Sequence, residues 1–366
     1  MKKYFRPNKK LRIAQVAPLW FTIPPKGYGG IERIVAMLCN CLVDEGHEVT
    51  LFAAPGSQTK AKLISVFPKP LVEANIPWAN PIWNLRNLSL AFEMANQGEF
   101  DVIHCHLDLW ALFFQNLTKT PVLHTMHNPL YRDNADATKD DRLMLFNEES
   151  RRTNIVFISQ SAKKQAMVDF LSDKARVIYN GIDLSHFKFN AKSGDHFVWI
   201  ARMNKHKGVE NAIAACEKLG KKLLLAGRID PTQQEYFKKI IKPHLNGKIK
   251  YVGELTEEQL SDFYGQALAT LYPIEWEEPF GLVVVESMAC GTPVIAYRRG
   301  SMPELINDGK TGFVIDSNIS KLTEAMEKVG QINRLAVRKS VEEKFSKERM
   351  VDEYEKLYYE LCSKQK

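Results

Sequence analysis

The stretch EEPFGLVVVESMACGTPVIA (277–296) holds three carboxylates, two of which, Glu278 and Glu286, stand either side of a predicted helix start. A strand is predicted to end near Pro273, an acidic loop to follow, and a helix to run from Phe280 to about Cys290. A helix N-terminus offers unbonded backbone N–H groups and the positive end of the dipole, a natural seat for a diphosphate. A carboxylate ahead of that end can grip sugar hydroxyls, and Glu286, eight residues later and a little over two turns in, can grip a ribose. On composition alone, an acid stabilising its own helix and a solvent-facing glutamate account for the same pair.

Other chemistry is spread along the chain. Arg202 and Lys207, in ARMNKHKG, follow a predicted strand and open a helix, where two cations can hold an anionic ligand. GYGGIE (27–32) follows the first strand and opens the first helix. Its glycines allow close backbone approach and positive φ, but it does not match GxGxxG, which disfavours a dinucleotide site. His104 and His106 alternate on a strand end and so point to one face. With Cys105 between them a metal is conceivable, yet no third ligand follows at convincing spacing, and no metal is assigned. His127 ends the next strand and is a candidate for acceptor contact, as are Trp78 and Trp83 by stacking; burial of the two tryptophans is the preferred expectation.

The motif Glu278-x7-Glu286 within EPFGLVVVESMACGTPVIA resembles the signature of the retaining family 4 glycosyltransferases of the GT-B fold (glycosyl transferases group 1). The resemblance continues through GYGGIE, DVIHCH (101–106), NGID (180–183), ARMNKHKG (201–208) and GSMPELINDGKTGFVI (300–315), in family order. It implies transfer of a hexose from a nucleoside diphosphate sugar to a hydroxyl acceptor on a glycan, lipid or small molecule. UDP-glucose is favoured as donor, with GDP-mannose next. His106 would reach the donor sugar, Arg202 and Lys207 the diphosphate, Glu278 the sugar 3- and 4-hydroxyls and Glu286 the ribose. Gly29, Gly30, Gly253, Phe280, Gly281 and Leu282 complete the implied donor site, the loop YVGEL (251–255) binding the base mainly through its backbone. A front-face route without metal or other cofactor is implied, and no DxD occurs in the chain. A GT-B sugar-nucleotide epimerase is the alternative; a nicotinamide oxidoreductase and a non-catalytic sugar or nucleic-acid binder are disfavoured.

These residues need parallel strands to hold them. LRIAQVAP (11–18), HEVTLFAAPG, FDVIHCH (100–106), PVLHTMHN (121–128), NIVFIS (154–159) and ARVIYN (175–180) read as one strand series. FVWIAR (197–202), KLLLAG (222–227), KIKYVGE (248–254), ALATLYP (267–273) and PVIAYRR (293–299) read as a second. Strands apolar on both faces and separated by helices, such as 30–46, indicate covered parallel sheets. The expected architecture is α/β: two Rossmann-like domains, 1–180 for the acceptor and 181–345 for the nucleotide sugar, facing each other across a deep cleft. A C-terminal helix at about 346–366 is expected to pack back on the first domain, and 180–195 reads as the linker. Residues 70–98 resist assignment.

A chain of 366 residues suits two domains. The net charge is +7, but MKKYFRPNKK carries five basic residues, leaving +2 for residues 11–366. The charge therefore does not argue for nucleic acid; the basic tail is expected to be solvated, with weak contact to an anionic membrane face as the sharper reading. No apolar run suggests a membrane span or signal peptide, and six scattered cysteines without a CxxC pair suit reduced thiols, so a cytoplasmic location, peripheral to the inner membrane face at most, is expected.

Overall fold

The apolar segments fold as strands covered on both faces, as their composition demands. In this computed structural model residues 9–27, 29–129, 141–150, 153–166 and 175–364 are described. The basic stretch at 1–8 lies outside them. The first series becomes β1 (Arg12–Val16), β2 (Glu48–Phe52), β3 (Lys62–Ile64), β4 (Val102–Cys105), β5 (Val122–Met126), β6 (Asn154–Phe157) and β7 (Ala175–Val177). The second becomes β8 (His196–Ile200), β9 (Lys222–Ala226), β10 (Ile249–Tyr251), β11 (Ala269–Tyr272), β12 (Val294–Tyr297) and β13 (Gly312–Ile315).

Among the described residues the strands form two sheets, ordered β3-β2-β1-β4-β5-β6-β7 and β10-β9-β8-β11-β12-β13. Neighbouring strands in each sheet run parallel. In each, the order runs backwards on one side of the first strand and onwards on the other. The reversal falls between β1 and β4 and again between β8 and β11, where the carboxyl ends of adjacent strands open a crevice.

Two short strands, β3 and β13, escape the sequence reading, and the unassigned stretch contains the helix Ile82–Asn96. Its periodicity is broken by two buried asparagines with a structural duty. Asn87 Nδ2 donates to the carbonyls of Ala17 and Phe52, both at 3.2 Å, and Asn84 Oδ1 accepts from the Leu19 amide at 3.0 Å. They satisfy backbone where β1 and β2 end, so polar residues occupy core positions. The preferred burial of both tryptophans does not hold either: Trp83 is half-buried against Phe67, whereas Trp78 is exposed beside Trp20 and Phe21.

The helix Lys347–Ser363 returns to the first domain. Met350, Val351, Tyr354, Leu357, Tyr358 and Leu361 share one core with Ile13, Ile34 and Leu38. His47 Nε2 lies 3.0 Å from Glu355 Oε1 beneath it. Its start is laid against the other crossing between the domains. The Ile182 amide donates to the Phe345 carbonyl at 2.9 Å, and the Lys347 amide to the Ile182 carbonyl at 3.1 Å. Part of the expected linker, Asn180 to Ile182, is therefore buried rather than a free connection. All six cysteines are free thiols, Cys39, Cys105, Cys216 and Cys290 being buried. No helix among the described residues is long and apolar enough to cross a membrane.

Candidate functional site

The loops after β1, β4, β8 and β11 carry the chemistry-bearing residues to the two crevices. After β11, Glu278 is gripped from three sides. Lys207 Nζ at 2.5 Å, Tyr272 Oη at 2.8 Å and Trp276 Nε1 at 2.9 Å all donate to its Oε2. Lys207 Nζ also lies 4.4 Å from the centre of the Trp276 ring. Both partners of this ion pair are largely buried, where a charge-assisted bond is strong and orientation is tightly held. The loop 299–301 backs the acidic loop: the Gly300 amide donates to Glu277 Oε2 at 2.6 Å and the Ser301 amide to the Glu278 carbonyl at 3.0 Å.

The helix after this loop begins at Leu282, not Phe280, and ends at Ala289. Gly281, at φ +92°, cannot be its first turn, and a side chain there would meet Met302 Cε at 2.9 Å. The Phe280 ring is buried against Tyr179 and Phe345, and its carbonyl accepts from Ser301 Oγ. Glu286 consequently sits about one turn inside the helix rather than two. Its Oε2 accepts from Tyr264 Oη at 3.0 Å, and Arg33 Nη1 of the first domain approaches Oε1 at 3.4 Å. Burial raises the Glu286 carboxyl above its usual range, while Arg33 and Tyr264 pull it back.

Arg33 stands on the helix Gly30–Asp44, opened by the glycine loop. Gly29 precedes that helix at φ +155°, with no room for a side chain against Pro25. A Cβ on Gly30 would lie 3.5 Å from Leu282, and one on Gly27 would meet Glu254 Oε1 at 2.5 Å. Gly27 thus faces the loop at 251–255, and Gly30 faces Leu282, across the domain boundary. Gly253, within the loop at 251–255, accepts the Gly227 amide on its carbonyl at 2.8 Å. In the first turn of the same helix, burial pushes the Glu32 carboxyl up to about 7.

Arg202 follows β8, with Nη1 3.5 Å from Asp230 Oδ2; Asp230 also meets Arg228 Nε at 3.1 Å. Lys207 closes a short turn held by Asn204, whose side chain accepts from the His206 amide at 2.9 Å.

The histidines differ from expectation. His104 and His106 do share a face, their ring centres 4.0 Å apart. However, His106 is wholly buried, with Nε2 2.8 Å from Gln15 Oε1 and Nδ1 2.9 Å from His127 Nε2. Both ring nitrogens are thus engaged inside the domain. Burial holds His106 neutral, well below its ordinary range, aided by repulsion from His104 and His127, and lowers His127 to about 3. The loop between them turns at Asp108, whose φ of +44° is costly for a residue with a side chain. Asp108 Oδ1 accepts from the His127 amide at 2.9 Å, fixing that histidine at the end of β5. Trp78 and Trp83 are not brought to these groups by any contact described. Among the described residues, no three His, Cys, Asp or Glu side chains group as a metal site.

Sequence reasoning missed Gln15, Arg33, Tyr264, Tyr272 and Trp276. Gln15 left a signal, a lone amide inside the apolar run LRIAQVAP. The tyrosines left none, since a tyrosine on an apolar strand or helix reads as core.

An arrangement of cations, a held carboxylate and a helix start across a two-domain boundary suits a sugar joined to a diphosphate. Comparison with known proteins agrees. Residues 28–186 match the family described as Glycosyltransferase Family 4, and residues 182–344 match Glycosyl transferases group 1. N-acetyl-alpha-D-glucosaminyl L-malate synthase of Bacillus anthracis is 23% identical over 371 residues, covering 91% of this chain and 94% of that protein. Sucrose-phosphate synthase from Thermosynechococcus elongatus superposes with a TM-score of 0.83 at 21% identity, over 97% of this chain and 100% of that one. HepE of Anabaena, in complex with UDP-glucose, gives 0.74 at 16% identity, over 96% and 100%. The chain is a GT-B glycosyltransferase belonging to the group 1, family 4 glycosyltransferases.

Proposed function

We propose that this glycosyltransferase is a hexosyltransferase that acts with retention, without a metal, on a nucleoside diphosphate hexose, UDP-glucose before GDP-mannose. The observation that carries the reading is the triple hold on Glu278 Oε2, which leaves the other carboxylate oxygen directed by three donors for sugar hydroxyls. Glu286 and Tyr264 would hold the ribose, and the backbone at 280–282 the diphosphate. As the bond from the anomeric carbon to phosphate breaks, negative charge grows on the departing diphosphate, and Lys207 and Arg202 stabilise it. The acceptor oxygen bonds to the anomeric carbon on the same face, and its proton passes to the leaving phosphate oxygen. Positioning supplies the rest of the rate. His106 acts from beneath, through His127, rather than on the sugar directly. UDP-glucose stands first because it is named in the HepE complex, whose fold this chain shares.

The test incubates the protein with UDP-glucose, GDP-mannose, UDP-N-acetylglucosamine and ADP-glucose without acceptor, and measures slow release of nucleotide and sugar. Release from UDP-glucose first, as the α-anomer and undiminished by EDTA, is expected. Release abolished by EDTA and restored by Mn²⁺ overturns the metal-free route. An epimerised sugar nucleotide as sole product selects the epimerase, which the matched transferase families do not favour.

A further inference from the structure

Beneath the carboxyl ends of β1, β4 and β5 runs an unbroken chain of buried hydrogen bonds. It starts at His127 Nε2, 2.9 Å from His106 Nδ1, and continues from His106 Nε2 to Gln15 Oε1 at 2.8 Å. Gln15 Nε2 donates to Tyr358 Oη on the C-terminal helix at 3.0 Å. Tyr358 Oη lies 2.7 Å from His104 Nδ1, His104 Nε2 is 2.7 Å from Thr125 Oγ1, and Thr125 Oγ1 is 3.0 Å from Tyr354 Oη. Gln15, His104, His106, Thr125 and Tyr358 have no exposed surface, so water cannot substitute for any link.

The proton positions follow in order. Gln15 is oriented with its amide nitrogen toward Tyr358 and its carbonyl toward His106, and a carbonyl can only accept. In that orientation the hydrogen of His106 sits on Nε2. A neutral ring then has a lone pair on Nδ1, which accepts from Nε2–H of His127. That leaves the lone pair of His127 on Nδ1, the nitrogen outside the chain. Having accepted from Gln15, Tyr358 gives its own proton to His104 Nδ1, and His104 donates from Nε2 to Thr125. Of the three histidines in the chain, His127 alone keeps exposed surface, 7% against none for His104 and His106.

We propose that Tyr358 is a positioning residue which, through Gln15 and His106, sets the tautomer of His127 so that Nδ1 is offered as hydrogen-bond acceptor to a substrate hydroxyl. The proposal rests on the transferase reading for the hydroxyl, but not for the tautomers. It gives the C-terminal helix a chemical role in addition to its apolar packing. An imidazole in the other tautomer would present N–H and reverse the polarity of the contact.

Long-range ¹⁵N–¹H spectra of full-length protein labelled at histidine decide the tautomers, with His106→Gln and His127→Gln giving the assignments. Hydrogen on Nε2 of both His106 and His127 is expected; hydrogen on Nδ1 of either overturns the proposal, whatever the enzyme's activity. Tyr358→Phe keeps the ring and deletes the link, and Gln15→Met breaks the chain one step nearer. Each should give mixed tautomers at both histidines and lower turnover about ten-fold, and the double variant should lose no more than either alone. Unmixed tautomers in both single variants overturn the coupling.

The source of the hydroxyl is read from the His127 Nδ1 resonance. A shift on adding the nucleotide sugar selected by the hydrolysis panel assigns it to the donor, and a shift only on adding methyl glucoside assigns it to the acceptor. No shift with either overturns the presentation of Nδ1. If the panel selects no nucleotide sugar, the proposed donor reading has failed, and the tautomers still decide the relay.

Discussion

At the scale of single residues, the site is governed by how charges hold one another. Lys207 orients Glu278, and on the proposed reading it also meets the departing diphosphate. Lys207→Ala should therefore lower kcat by about 10²–10³, beyond any change in donor binding, in a protein with unchanged circular dichroism. An unaltered kcat in the folded variant would remove Lys207 from the chemistry. The two glutamates should separate by ligand. Glu278→Gln should weaken the intact nucleotide sugar while sparing the free nucleoside diphosphate, because the proposed reading sets it against the transferred sugar. Glu286→Gln should weaken both, since the ribose is common to them. A hydrogen bond to a charged group is worth about 1.5–3 kcal/mol, so calorimetry should read losses of roughly ten- to a hundred-fold. Equal loss of nucleotide affinity in both variants would place Glu278 elsewhere.

At the scale of elements, β5 carries a stored cost. His124 is buried between β4 and β6, and neither of its ring nitrogens has a hydrogen-bond partner among the described residues. Burial lowers it from 6.5 to about 3. Below pH 6.5 the unfolded chain takes up a proton there that the fold refuses until about pH 3. Stability contributed against acid is thus complete above 6.5 and falls as pH drops through that window, by up to about 1.4 kcal/mol per pH unit for each such histidine. His104, His106 and His127 are lowered by the same cause and steepen the fall. His124→Leu should raise stability by about 1–2 kcal/mol at neutral pH, and its advantage should widen on acidification. Urea unfolding at several pH values checks this; a destabilised variant, or a gap that does not widen, would mean the ring has a partner in solution.

At the scale of the whole molecule, the two domains are joined by side-chain contacts as well as by two chain crossings. Glu304 of the second domain accepts from the amides of Gln160 at 2.8 Å and Ser161 at 2.6 Å, and from Tyr179 Oη at 2.9 Å. Arg33 and Glu286 join the domains at the proposed donor site. On the proposed reading the donor site draws residues from both domains, so the population of this arrangement would scale apparent affinity. Glu304→Gln removes the charge from a half-buried contact, worth about 1 kcal/mol. Donor KM should rise several-fold with kcat at saturation preserved, and small-angle scattering should show a larger radius of gyration. An unmoved KM and radius would mean this contact does not hold the closed arrangement.

The alternation of apolar strands with amphipathic helices was enough to give two parallel sheets and their order along the chain, because strands covered on both faces need apolar residues throughout. The glutamate pair, the Arg202/Lys207 segment and the glycine loop were legible because they lie at strand ends, where a short motif is continuous in sequence. The helix Ile82–Asn96 was not, because Asn84 and Asn87 put polar atoms at core positions for loops over sixty residues away or thirty-five residues away. Nor was the buried state of His106, which depends on Gln15 and His127 from neighbouring strands. Which groups the buried histidines meet, which oxygen of Glu278 is occupied and which domain supplies the partner of Glu286 are settled by contacts between distant segments. Tertiary packing alone decides them, since a side chain's hydrogen-bond partners are chosen by proximity in space and by exclusion of water.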